Sequence, residues 1–245
     1  MRMILNNSGV AVEAAFSDAN VRDIFLPLLM RLTALHRRKG RRVVALLAAP
    51  PGAGKSTLAM FLEGLSRETP GVQRLTALGM DGFHLPRAYL AGHTAVRDGE
   101  VIPLAQIKGA PETFDLAALS SALAHVAAGE NCPWPRYDRA LHDPVAGDAV
   151  TGEVVLVEGN YLLLDMPGWR ELRKYADYSV FIDADPDRLR RRLVARHVAG
   201  GRSPEAAAAF VDGSDMANAR LCLERSMPAD LRLRLADDGS FAVEA

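Results

Sequence analysis

Residues 49–57 read Ala-Pro-Pro-Gly-Ala-Gly-Lys-Ser-Thr, a pattern whose residue types and spacing suit the binding of a nucleotide's phosphates. Because Gly52 and Gly54 lack a Cβ atom, the backbone here can close around phosphate oxygens and direct its N–H groups at them. The ammonium group of Lys55 would bridge the outer phosphates, and the hydroxyl of Ser56 would ligate Mg²⁺. We therefore predict a site for ATP and Mg²⁺, with GTP left open as the donor, formed by Gly52, Ala53, Gly54, Lys55, Ser56 and Thr57.

The loop departs from the usual phosphate-binding motif at its first position, where this chain has Ala49 in place of glycine. Alanine fits if it keeps a negative φ, since a left-handed φ would cost it about 1 kcal/mol. The alternative is an ordinary strand–helix turn that contains Gly-Lys-Ser. The flanking sequence favours the phosphate loop, because an apolar run over 43–48 precedes it and a helix-like stretch over 58–63 follows it.

Two acidic residues follow short apolar segments further along the chain. Asp81, in Met-Asp-Gly-Phe-His, can accept a hydroxyl proton or help to hold a metal ion, and the alternative is a turn aspartate before glycine. Glu158, in Glu-Gly-Asn, ends the most apolar segment and resembles a Walker B carboxylate, for which the alternative is a strand-end cap. Together with the loop hydroxyl, the predicted metal ligands are Ser56, Asp81 and Glu158.

The segment 133–142 reads Pro-Trp-Pro-Arg-Tyr-Asp-Arg-Ala-Leu-His and combines hydrogen-bond donors with an aromatic face. Such a mixture suits a polyhydroxylated or heterocyclic acceptor molecule. Taken alone, the segment is more typical of a proline-rich surface turn, and an isolated histidine is more often structural. The predicted acceptor-binding residues are His84, Arg136, Tyr137, His142 and Glu158.

A basic helix is predicted over 186–199 and is followed by Gly200, Gly201 and Arg202. Arginines at 188, 192 and 196 recur at a spacing of four and share one helical face. Glycines beside a basic helix suit a lid that closes over transferring phosphates, whereas the alternative is a solvated basic helix. We predict that Arg192 binds the nucleotide. The predicted catalytic residues are Lys55, Asp81, Arg196 and Arg202.

The elements that must position these residues alternate along the chain. Strands are predicted over 43–48, 73–79, 153–158 and 178–183, and helices over 115–128, 168–175, 186–199 and 204–226. This alternation predicts an α/β fold with a doubly wound, mostly parallel sheet. Because the carboxyl ends of such strands line the ligand crevice, the phosphate loop and both acidic residues should meet there.

We expect one domain over 1–245, with inserted lid and acceptor-binding segments. An amphipathic helix over 18–39, with Pro27 as a candidate position for a kink, makes 1–40 a helical extension. The stretch 84–113 is rich in glycine and proline, and we expect it to be a long functional loop inserted on the acceptor side. The final alternating segment, 231–235, reads as an edge strand.

Composition narrows the function further. The chain has 245 residues, a net charge of −1 and 49% apolar residues, so no global charge draws it to nucleic acid or an anionic membrane. The arginines and lysine at 37–42 are more typical of a solvated helix end than of a nucleic-acid patch. Two cysteines form no disulfide framework, and neither a signal peptide nor a membrane-spanning run is evident. We expect a cytoplasmic protein with a small-molecule acceptor, and a homodimer is left open.

Five segments in the same order resemble the phosphoribulokinase, uridine kinase and bacterial pantothenate kinase family of P-loop kinases. Beside the phosphate loop, 80–83 resembles the Asp-Gly-Phe segment of pantothenate kinases, 108–115 their Lys-Gly-x-Pro-Glu-Ser-Tyr-Asp segment, 135–142 the acceptor-facing segment of uridine kinases, and 183–202 their lid. The chain looks most like a subgroup named for fructose transport. The resemblance implies an ATP-dependent kinase that transfers the γ-phosphoryl group to a hydroxyl of a sugar, nucleoside or pantothenate-like alcohol, with Asp81 as the base.

Two rival functions remain at this stage. A regulatory NTPase switch would use hydrolysis to change shape, yet the chain has no Asn-Lys-x-Asp segment of guanine-specific switches and does have an acceptor-like segment. A nucleotide-binding protein without phosphotransfer is the other alternative. The presence of Lys55, Ser56 and Asp81 disfavours it.

Overall fold

The computed structural model of the chain describes residues 1–7, 10–97 and 99–244. Its strands are β1 (Arg2–Asn7), β2 (Val10–Ala15), β3 (Val43–Ala48), β4 (Leu75–Gly79), β5 (Thr94–Arg97), β6 (Glu100–Pro103), β7 (Arg136–Asp138), β8 (Asp143–Val145), β9 (Val154–Gly159), β10 (Tyr178–Ala184), β11 (Leu231–Leu235) and β12 (Phe241–Val243). Its α-helices are α1 (Asp18–Asn20), α2 (Leu26–Lys39), α3 (Lys55–Glu68), α4 (Arg87–Gly92), α5 (Leu116–Ala127), α6 (Pro186–Ala199), α7 (Pro204–Phe210) and α8 (Met216–Arg225).

The centre of the molecule is a six-stranded sheet in the order β12-β11-β10-β3-β9-β4. Every neighbouring pair is parallel except β11 and β12. All six residues of β3 are buried, and alternate residues pack into two separate cores, one with α2, α3 and α6 and the other with α5. A continuous apolar strand is what a parallel sheet covered on both faces requires. The predicted doubly wound α/β fold is therefore confirmed.

The amino-terminal forty residues differ from the predicted helical extension. Strands β1 and β2 pair as an antiparallel hairpin, and helical structure begins only at Asp18. The hairpin rests on α3 at Gly64, where a Cβ atom would approach the sulfur of Met3 to 2.9 Å. The predicted helix over 18–39 is present, but a π-helical turn, Val21–Phe25, precedes Pro27, which lies in the first turn of α2. Proline is tolerated there because first-turn N–H groups have no partner within the helix.

Three other predictions need correction. Strand β11 is not at the edge of the sheet, because the three-residue β12 pairs with it, and the true edges are β4 and β12. The predicted helix over 168–175 is a 3₁₀ helix, Arg170–Tyr175, and the one over 204–226 is interrupted by a π-helical turn, Val211–Asp215. A proline and a glycine, Pro167 and Gly168, keep the first of these short.

The stretch 84–113 is not the long loop that its composition suggested. It contains α4, the antiparallel β5–β6 hairpin and the 3₁₀ turns Leu104–Ile107 and Pro111–Thr113. Short elements of this kind give little periodicity in sequence. Among the described helices, none combines the length and apolar character needed to cross a bilayer.

Candidate active site

The loop between β3 and α3 has the backbone shape of a phosphate cradle. Gly52 and Gly54 have φ values of 84° and 89°, in the left-handed region that glycine tolerates best. The first backbone hydrogen bond of α3 runs from the N–H of Leu58 to the carbonyl of Gly54 at 3.0 Å, so the N–H groups of 55–57 have no partner within the helix. Ala49 is buried and keeps a negative φ, since the one non-glycine residue with a positive φ in the described part of the chain is His142. These N–H groups at a helix start form a ready anion site.

Helix α6 lies directly against this loop. A Cβ atom at Gly52 would be 3.1 Å from Cγ of Leu193, and one at Gly54 would be 3.2 Å from Nη2 of Arg192. The guanidinium group of Arg192 therefore sits beside the cradle, where the sequence placed it. The glycines are needed for this approach as well as for the loop's own conformation.

The two acidic residues meet the loop at the carboxyl edge of the sheet. Asp81 lies in the 3₁₀ turn Met80–Phe83 that follows β4, and the parallel register pairs Gly79 of β4 with Glu158 of β9. A Cβ atom at Gly79 would come within 3.3 Å of Oε1 of Glu158. The glycine thus leaves space for the carboxylate between the two strand ends.

Glu158 is buried, and burial raises its pKa from 4.5 to about 7. The negative charge of Asp81 raises the pKa further, whereas Lys55, a hydrogen bond with Ser56 and the charge of Arg139 lower it. The neighbouring positive charges and the hydrogen bond offset the cost of burying this carboxylate only in part. A divalent cation bound beside the loop hydroxyl would neutralise it. The predicted ligands Ser56, Asp81 and Glu158 therefore fit Mg²⁺.

This set is too small to hold a metal ion alone. In the described residues no cluster of three or more His, Cys, Asp or Glu side chains could bind one. Mg²⁺ commonly keeps one or two carboxylates and takes its other ligands from water and from a nucleotide's phosphates. The arrangement is thus suited to a metal ion that arrives with the nucleotide.

Replacing Glu158 with glutamine should change how stability depends on pH. A folded-state pKa of about 7, above the ordinary 4.5, means that the wild-type protein loses stability as pH rises from 4.5 through 7. Without nucleotide or metal, the free energy of unfolding of Glu158→Gln, relative to that of the wild type, should rise by up to about 3 kcal/mol from pH 5 to pH 8. Urea unfolding at both pH values measures this. Glu171→Gln, which changes an exposed glutamate, is the control. If the difference in unfolding free energy between Glu158→Gln and wild type is the same at both pH values, the raised pKa of Glu158 is contradicted.

A cavity of about 540 Å³ opens from the two carboxylates towards the β7–β8 hairpin. Its lining comes from four parts of the chain, namely α3, β4 with the turn that follows it, the segment 134–151 and the end of β9. The polar and aromatic residues lining it are Ser56, Thr76, Asp81, Trp134, Arg136, Tyr137, Arg139, Asp148, Thr151 and Glu158. Its volume falls in the range of small-molecule sites.

The segment 133–142 is fixed against the turn that carries Asp81. The indole N–H of Trp134 donates to the carbonyl of Gly79 at 2.9 Å. A Cβ atom at Gly82 would lie 1.9 Å from the carbonyl oxygen of Pro135, so only glycine permits this backbone contact. The acceptor-like segment is therefore one wall of the cavity and not a free surface turn.

The two predicted histidines lie behind this wall, outside the lining of the cavity. The ring of His84 is 3.9 Å from that of Phe114 and 5.2 Å from that of Tyr137, and burial lowers the pKa of His84. His142 has a φ of 55°, a left-handed turn that leads the chain into β8, and its carbonyl accepts a hydrogen bond from Lys108. Both support the wall, whereas Arg136, Tyr137 and Glu158 line the cavity as predicted.

Lys108 and Trp134 had been assigned no role from sequence. The ammonium group of Lys108 donates to the hydroxyl of Tyr137 at 2.7 Å and to the carbonyl of His142 at 3.0 Å, which ties the insertion to the wall. The available indication is that Lys108 begins the segment 108–115, which carries part of the family resemblance, and that Trp134 lies in the acceptor-like segment 133–142. Their partners are distant in sequence and could not be read from it.

The lid arginines are not at the phosphate loop in this structure. Nη2 of Arg196 is 3.8 Å from Oδ2 of Asp215, and the same oxygen is 2.8 Å from Nε2 of His197. The guanidinium of Arg202 lies over the ring of Phe210, 4.2 Å from its centroid. Gly200 ends α6, and Gly201 has a φ of 95°. The predicted roles of Arg196 and Arg202 stay predictions that require this glycine pair to move.

Comparison with known proteins extends these observations. No protein-family model matches the chain. An uncharacterized Escherichia coli K12 protein, YggC, is 40% identical, with 98% of each chain covered. The crystal structure of a "putative fructose transport system kinase" from Silicibacter sp. TM1040 is 35% identical with a TM-score of 0.71, covering 82% of this chain and 98% of that one. A pantothenate kinase of Streptomyces avermitilis is 31% identical, covering 72% of this chain and 59% of that protein.

Proposed function

The chain belongs to the P-loop kinases of the uridine kinase, phosphoribulokinase and pantothenate kinase type, and from this membership we propose that it transfers the γ-phosphoryl group of ATP to a hydroxyl group of a small molecule. One observation carries the proposal. The hydroxyl of the phosphate loop, the carboxylate of Asp81 and the aromatic and basic wall of the acceptor-like segment all line a single cavity. A donor and an acceptor bound there would be adjacent.

Catalysis in such a site is mostly positioning and stabilisation of charge. The backbone N–H groups of 55–57 and the ammonium of Lys55 would hold the outer phosphates. Asp81 would accept the proton of the acceptor hydroxyl as its oxygen attacks the γ-phosphorus, and the bond to the β–γ bridging oxygen would break to release ADP. Mg²⁺, held by Ser56 and Glu158 with the carboxylate of Asp81 nearby, would supply neutralisation of the charge on the phosphates.

The acceptor would be a sugar, a nucleoside or a pantothenate-like alcohol. The sugar is supported by the crystal structure named for a fructose transport kinase, and the pantothenate-like alcohol by the pantothenate kinase relative. A screen of these acceptors, with ATP or GTP as donor, tests the function through the release of ADP or GDP. Release that is independent of every acceptor would favour an NTPase switch, and binding of nucleotide without release would favour a protein that has lost transfer.

We predict that Arg202→Ala lowers transfer to the acceptor far more than it weakens ATP binding. Its guanidinium would reach the phosphates only when the lid closes, so the contact would stabilise the transition state more than the ground state. Arg202→Lys should restore only part of the activity, because lysine lacks the bidentate fork. Turnover and ATP dissociation constants are to be compared for both.

The matched control is Arg191→Ala, which removes an exposed arginine from another face of α6. Equal losses in binding and turnover for Arg202→Ala would instead indicate a contact already made in the ground state. If neither ATP binding nor turnover falls, the segment is a solvated basic helix and not a lid.

A further inference from the structure

We propose that Asp215 competes with the nucleotide's phosphates for Arg196, so that its carboxylate keeps this guanidinium away from the phosphate loop until bound ligands displace it. The inference rests on the proposed function, because it adds a form of regulation to the predicted lid of that same site. Nη2 of Arg196 is 3.8 Å from Oδ2 of Asp215. Phosphate oxygens carry the same sign of charge as this carboxylate and can take its place beside an arginine.

The position of Arg196 in the helix assigns it to the face of α6 that meets the phosphate loop. Nη2 of Arg192, one helical turn earlier, lies 3.2 Å from the position that a Cβ atom of Gly54 would occupy. Four residues advance about 6 Å along a helix and stay on one face. The side chain of Arg196 is 51% exposed, so its guanidinium can turn from Asp215 towards the loop without unpacking of the helix.

Asp215, in contrast, is held in place. Its side chain is 12% exposed, and the Oδ2 atom that faces Arg196 also accepts a hydrogen bond from Nε2 of His197 at 2.8 Å. The ring of His197 in turn packs edge-on against that of Phe210, with 5.0 Å between the ring centroids. A carboxylate that is already fixed binds a mobile guanidinium with little ordering cost of its own. Asp215 is therefore the stationary member of the pair.

The π-helical turn Val211–Asp215 brings a second carboxylate to α6. Asp212, near the start of the turn, accepts hydrogen bonds from Arg190 at 2.6 and 2.8 Å, one on each oxygen. Turns of this kind are rare and are frequent at functional sites. The Arg190 pair fastens the same turn to the same helix without using an arginine that is predicted to reach the phosphates. Asp212 is thus a matched control for Asp215.

The competition would limit ATP hydrolysis in the absence of an acceptor. A guanidinium already placed at the γ-phosphate would stabilise transfer to water as well as transfer to the acceptor. While Asp215 holds Arg196, the guanidinium moves only if the ligands bind the released form more tightly than the held form. The ion pair would therefore couple the arrival of Arg196 at the phosphates to the binding of ligands.

Calorimetric titration of the full chain with ATP and Mg²⁺ tests the proposal. Asp215→Asn keeps an oxygen for His197 and removes the charge that holds Arg196, so ATP should bind about 3- to 10-fold more tightly. In an Arg196→Ala background, Asp215→Asn should bring no such gain. Asp212→Asn should leave the ATP dissociation constant unchanged. Release of ADP without an acceptor should rise in Asp215→Asn and not in Asp212→Asn.

A second variant tests the competition from the opposite direction and does not depend on the folding of Asp215→Asn. His197→Phe keeps a ring against Phe210 and leaves Oδ2 of Asp215 to Arg196 alone, so ATP should bind about 2- to 5-fold more weakly. The proposal is overturned if Asp215→Asn binds ATP no more tightly than the wild type, if the gain persists without Arg196, or if His197→Phe binds ATP as tightly as the wild type.

Transfer to an acceptor, measured on the same preparations, separates this inference from the proposed function. If the wild type phosphorylates an acceptor and Asp215→Asn has the same ATP affinity as the wild type, the kinase is upheld and the competition is rejected. If ATP affinity changes as expected in the variants but no acceptor is phosphorylated, the competition is upheld and the kinase is rejected.

Discussion

Asp81→Asn should lower turnover by about 10²–10⁴-fold, because the amide keeps the shape of the carboxylate and cannot accept the acceptor's proton. ATP affinity should change little, since the turn that carries Asp81 is fixed by backbone contacts at Gly79 and Gly82 and not by this side chain. Steady-state turnover and the ATP dissociation constant, measured on the same preparation, give the result.

Asp165→Asn is a suitable control, because this exposed aspartate pairs with Arg170 outside the cavity. If ATP binding of Asp81→Asn collapses while slow chemistry persists, Asp81 is a metal ligand or a structural residue. If turnover survives with normal binding, the proton leaves by another route. Both results would reject its role as base.

Lys55→Ala should lower turnover by at least ~100-fold, which corresponds to roughly 3 kcal/mol of lost transition-state stabilisation. Its ammonium stands at the first residue of α3, where the helix start and the lysine both attract phosphate. The charge also lowers the pKa of Glu158, so its removal should raise that pKa and weaken Mg²⁺ binding at neutral pH.

Two measurements therefore report on Lys55, namely turnover and the pH dependence of Mg²⁺ affinity. Lys174→Ala, an exposed lysine far along the chain, serves as the control. Near-normal turnover in Lys55→Ala would reject the phosphate-loop assignment and the proposed kinase with it.

Local features of this protein were predictable from sequence. The strand–loop–helix around the phosphate loop and the bounds of α6 follow from apolar runs, glycines and the proline at the start of the helix. The parallel sheet follows from alternation of strands and helices, and it correctly brought Asp81 and Glu158 to one edge.

Features that depend on distant contacts were not predictable. The edge position given to β11 failed because β12 has only three residues and becomes a strand by pairing. His142 was placed among the acceptor ligands by residue type, yet its left-handed backbone and its bond from Lys108 make it part of the turn. Likewise Arg196, near the end of α6, and Arg202, just after the helix, were expected at the phosphates, but Asp215 and Phe210 engage them in the structure.

The backbone contact between Gly82 and Pro135 joins the turn that carries Asp81 to the wall of the cavity. With no room for even a methyl group between them, the turn that carries Asp81 and the acceptor-like segment are packed backbone against backbone. The position of the proposed base relative to this wall is then set by the fold before any ligand binds. The part that the proposed lid motion would adjust lies beyond α6, where Gly200 ends the helix and Gly201 has a left-handed φ. The fold sets the orientation of the proposed base, and the proposed lid would determine when the site closes.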